Sequence, residues 1–115
     1  MAKKYKPIEV YVHKICKLFK SKKVKFALCS LKDMHGVYIT TESDDYHAIV
    51  LDPYKEFVPT LIHECIHYLY PKYSEKKVLK VEKMIMGSGP KNIIKILKQF
   101  SKNIKIYNVE EEDIL

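Results

Sequence analysis

Residues 60–70, TLIHECIHYLY, carry His63, Glu64 and His67 in the spacing H-E-x-x-H, and their reading decides how the rest of the chain is arranged. Four residues make just over one helical turn, so on a helix His63 and His67 stand one above the other and can offer two imidazole nitrogens to one ion. Glu64, beside them, can reach a water bound to that ion. A hydrolytic zinc site needs this geometry: three protein ligands, a water whose pKa the metal lowers, and a carboxylate to move the proton. At 100° per residue, Ile62, Cys65, Ile66 and Leu69 share one flank and Thr60, His63, Glu64 and His67 another. An amphipathic helix with two incidental histidines is the competing reading, and at this chain's own His and Glu frequencies chance produces the motif in roughly one or two per cent of such sequences.

The chain has 115 residues, 47% of them apolar, which suits one compact domain over 1–115 with a single core. Its net charge of +7 comes from lysine, since the 21 basic residues include no arginine. Arginine's planar fork is the usual instrument for phosphate and base edges, so the basicity reads as a solvated lysine surface and no specific nucleic-acid reader is expected. Cys16, Cys29 and Cys65 are odd in number and form no C-x-x-C pair, which points to reduced thiols in a cytoplasmic protein. No stretch has the ~18 apolar residues of a membrane span.

Outward from the motif, Pro7 opens a helix to about Lys20. Val24–Leu31 and Val37–Thr41 read as two strands of a hairpin around the turn at Lys32–Gly36, and Tyr46–Leu51 as a third strand. Pro59 belongs in the first turn of the motif helix, which stops before Pro71. Ser74 caps a helix Glu75–Met86, Gly87–Pro90 breaks the chain, and Lys91 to about Ser101 forms a last helix, followed by an extended stretch 103–109 and an acidic end. The expected fold is α+β: a small, mainly antiparallel three-stranded sheet packed with about four helices. His13, His35 and His47 lack partners at ligand spacing and read as surface or structural residues, with His47 as a further candidate for a cleft wall.

The third ligand should come from the helix after the motif, because a short turn brings it back antiparallel. Glu75, in its first turn, lies level with the end of the motif helix and is preferred. Glu82, two turns on, is the alternative. Each has a plain structural reading: Glu75 stabilises a helix N-terminus through the dipole, and Glu82 pairs with neighbouring lysines in solvent.

On these residues the chain resembles the zincin metallopeptidases, and within them the gluzincins, in which H-E-x-x-H on one helix is followed by a glutamate on the next. The minigluzincins are similar in length and plan. The resemblance implies a zincin-like domain holding Zn2+ through His63, His67 and a glutamate, with Glu64 as general base and acid in hydrolysis of peptide or protein substrates. It also implies latency through a C-terminal segment, here 90–115, whose apolar helix could further support a homo-oligomer. The N-E-x-x-S-D run of longer gluzincins is missing. An oxyanion-steadying side chain would come from among Tyr70, Tyr73 and Tyr107. The contrasting expectation is a non-catalytic module, zinc-stabilised or lysine-rich, that binds nucleic acid or protein.

Overall fold

The structure, a computed structural model, describes residues 5–40, 43 and 46–108, without the side chains of 106–108. Four helices and four strands follow in the order α1 (Ile8–Ser21), β1 (Lys25–Leu28), β2 (Gly36–Thr40), β3 (His47–Leu51), α2 (Phe57–Leu69), α3 (Glu75–Met86), α4 (Pro90–Asn103) and β4 (Ile106–Asn108). The helices lie where the sequence places them. Pro59 falls in the first turn of α2, Ser74 Oγ accepts from the Lys77 N–H at 3.1 Å to cap α3, and Pro90 opens α4.

The α+β class holds, but the sheet is mixed and has the order β2-β3-β1-β4. The expected β1–β2 hairpin does not form. Instead β1 pairs parallel with β3, from Lys25 opposite Ala48 to Leu28 opposite Leu51, and β2 pairs antiparallel with β3 on its other side. The fourth strand, β4, is parallel to β1. The reason lies in the connection 29–35, which crosses the end of β3. The Cys29 N–H donates to the Leu51 carbonyl on one side of that strand, and the His35 carbonyl accepts from the Asp52 N–H on the other, both at 3.0 Å. The Asp52 carboxylate holds the crossing, taking the Leu31 N–H and the Tyr54 N–H at 2.9 Å each, and Lys55 Nζ donates to the Leu31 carbonyl. Hydrophobicity selects the same order: β3 is buried on both faces from Ala48 to Leu51, as a central strand should be, whereas β2 is half-buried along most of its length and suits an edge.

The main core lies between the helices and one face of the sheet, where Tyr11, Ile15 and Phe19 of α1 meet Phe26, Ile49 and Leu51 of the strands. Phe19, Phe26 and Phe100 pack edge to face with centroids 5.3–5.7 Å apart, which ties α4 to the sheet. A smaller cluster around Cys29, Leu31 and Val50 covers the other face. Within the C-terminal segment, α4 packs on α1, and β4 occupies the sheet edge away from β2. The expectation for the acidic end, 109–115, falls outside the described residues. Among the described residues no helix is long and apolar enough to cross a membrane.

The placement of α2 depends on Gly36. A Cβ there would stand 2.6 Å from Thr60 Cγ2 and 3.2 Å from Leu51 Cδ2, so helix and edge strand touch where only a glycine fits. Replacing Gly36 with alanine should destabilise the fold by about 1–3 kcal/mol in chemical denaturation. Part of the loss should return in the Gly36→Ala/Thr60→Ser double variant, which removes the opposing methyl. Asp52 gives a second measurable consequence. The bonds from the Leu31 and Tyr54 N–H groups, aided by Lys55, outweigh burial and hold its carboxyl below the usual carboxylate range. A depressed folded-state pKa adds stability above the unfolded value of about 4, and that stability is lost as pH falls through the folded value. Denaturation midpoints from pH 7 to 3 should therefore fall less steeply in Asp52→Asn than in the parent chain.

Candidate metal centre

Helix α2 presents its polar stripe because the rest of its surface is consumed by packing. Leu61, Ile62, Cys65 and Ile66 are fully buried, so His63, Glu64 and His67 are left at the open side. Burial pushes the Cys65 thiol far up, which makes it a core residue with no chemistry to contribute. Gly36 rests on Thr60, and the Tyr38 ring reaches Tyr68 at 6.0 Å, so α2 runs along the edge strand with Glu64 between these two contacts. His63 and His67 lie one step further round the helix, facing α3.

From α3, Glu75 bridges the two imidazoles: its Oε1 is 2.6 Å from His63 Nε2 and its Oε2 is 2.7 Å from His67 Nε2. Glu82 reaches the other nitrogen of His63, with Oε1 at 2.9 Å from Nδ1. The two glutamates weighed as alternatives in the sequence thus sit on opposite sides of one ring. His63, His67 and Glu75 can each offer a ligand atom within 4.8 Å of the others. Glu82 is in position to fix the tautomer of His63 and leave Nε2 facing the same point as His67 Nε2. Exposure separates the two roles further, since the Glu75 side chain is 70% exposed and that of Glu82 only 16%.

The electrostatics follow from this packing. Burial raises the Glu64 carboxyl above its ordinary value, although His67 and His63 pull the other way. For Glu75, burial is outweighed by the charge and hydrogen bonds of His63 and His67, and its carboxyl is held low. The two neighbouring carboxyls are thus shifted in opposite directions.

Glu64 and the His63–Glu75–Glu82 group open into a cleft of about 380 Å³ whose far wall is His35, Gly36 and Glu56. The sequence reading missed this wall: His35, taken as a turn residue, lies 3.6 Å from Glu56 across the cleft mouth. The signal available was Gly36, whose lack of a side chain marks a close approach as readily as a turn. His13 is exposed on α1, away from the site. His47 accepts or donates at 2.5 Å with Tyr38 Oη and packs on Tyr68, one turn beyond Glu64, without lining the cleft. Tyr70 and Tyr73 stack on each other; Tyr70 meets Tyr11 edge to face, the Tyr11 hydroxyl is 3.0 Å from that of Tyr73, and neither lines the cleft. The side chain of Tyr107 lies outside the described residues.

Comparison of the chain with known protein families, with curated proteins and with solved structures finds no match in any of the three.

Proposed function

We propose that this chain is a zinc-dependent peptidase, a minimal domain similar to the gluzincin-type zincins, in which His63, His67 and Glu75 hold the metal and Glu64 moves the proton. The supporting observation is that two imidazole Nε2 atoms on α2 and a carboxylate on α3 converge on one point beside a cleft. Two imidazoles and a carboxylate suit zinc, and their spacing allows all three to reach one ion. When bound, zinc would acidify a water and polarise the substrate carbonyl. Each further step belongs to the chain. Glu64, beside the two histidines at the cleft, accepts the proton of the attacking water and passes it to the departing amine. Glu82 holds His63 in orientation. The cleft between α2 and the β2 edge accommodates an extended peptide, whose backbone can pair with the edge strand.

Three variants test this reading together. Glu64→Ala should bind one equivalent of zinc by elemental analysis and lose peptide cleavage by about 10²–10⁴-fold. Cleavage at the parental rate in that variant would remove Glu64 from the mechanism. Glu82→Gln should weaken zinc binding about 10–100-fold in competition with a chromophoric chelator, the usual cost of losing an orienting partner. Glu75→Ala should weaken it more than Glu82→Gln does, and the reverse order would exchange the two roles.

A further inference from the structure

Among the described residues four glutamates, Glu56, Glu64, Glu75 and Glu82, line the cleft and no lysine does, although the chain carries 21 basic residues and a net charge of +7. Three of the four are accounted for by the centre described above. Glu75 and Glu82 face the histidines, and Glu64 lies partly buried between the histidine pair and β2. Glu56 is different. It stands at the N-cap of α2, its side chain 71% exposed at the cleft mouth, with His35 as its neighbour.

We propose that Glu56 selects substrates, binding the cationic head of a lysine or arginine side chain in a peptide lying in the cleft; this rests on the reading of the cleft as a peptide-binding site. The surroundings suit such a side chain along its whole length. Leu79, 41% exposed, projects from α3 into the cleft, and Pro59 lies opposite on the first turn of α2, so the aliphatic stem would run over apolar surface before the head reaches Glu56. The adjacent cation does not neutralise the carboxylate, because Lys55 Nζ is turned away to the Leu31 carbonyl and to Asp52. Glu56 is held at φ 42°, ψ 57°, a left-handed backbone that glycine or asparagine adopts at lower cost, and its carboxylate makes no capping bond to α2. Within the fold the carboxylate meets His35 at 3.6 Å and the N-terminal end of α2, and its exposure leaves it open to a further cation. Position along the helix sets the register: Glu56 precedes Glu64 by eight residues, about 12 Å of helix. An extended lysine and one or two backbone steps cover that distance, which places the basic residue next to, or one removed from, the bond that faces Glu64.

The test is a binding measurement, independent of turnover. Fluorescein-labelled peptides identical except for Lys, Arg, Gln or Glu at one position are titrated with the zinc-loaded chain and followed by anisotropy at low and moderate salt. The Lys and Arg peptides should bind about tenfold more tightly than the Gln peptide, and the advantage should shrink with salt. Glu56→Gln should reduce the ratio to about twofold or less, and Glu56→Lys should turn it in favour of the Glu peptide. Equal binding of Lys and Gln peptides, or a preference that survives Glu56→Gln, overturns the proposal. Selective binding without hydrolysis of any peptide would count against the peptidase reading and leave this one standing. Hydrolysis without a basic preference would do the opposite.

Discussion

The rotation of α2 about its own axis is the constraint on which everything else depends. Leu61, Ile62, Cys65 and Ile66 all reach complete burial, and each of the larger three contributes about 1.5–3 kcal/mol to the fold. A turn of 100° about the axis would lift them into water and press His63 and Glu64 into the core, a loss that no contact made by the functional stripe could offset. The stripe is thus oriented by the residues behind it. The Gly36–Thr60 contact then fixes how closely the helix approaches the edge strand, and so the width of the cleft.

Much of this arrangement was legible in the chain because it is local. The histidine spacing, Pro59 in the first turn, the Ser74 cap and the short return to Glu75 all act over a few residues, and the structure reproduces each. The strands were legible but their pairing was not, and the reason is equally specific. Two short β-rich segments separated by a glycine-containing turn look like a hairpin, but the decision is made by Asp52, which captures the Leu31 N–H from twenty-one residues away. No local pattern announces such a bond. The glutamates gave an intermediate case: the chain offered Glu75 and Glu82 as rivals, whereas an antiparallel helix can bring both to one imidazole, on different nitrogens.

Charge is distributed against the average of the molecule. A lysine-rich exterior surrounds a cleft whose walls are acidic, so the field near the centre differs in sign from the field at a distance. The two fields act at different ranges, and salt at physiological strength, with a screening length of about 8 Å, suppresses the first far more than the second.

The parallel pairing of β1 with β4 has a consequence for biosynthesis. Leu28 lies opposite Asn108, eighty positions later, so one side of a central strand stays without its neighbour until those eighty positions have been added. At roughly 5–20 residues per second that interval lasts about 4–16 s, during which an apolar strand exposes open amides and carbonyls. Synthesis of β4, rather than helix formation, is then the event that completes the pairing of β1.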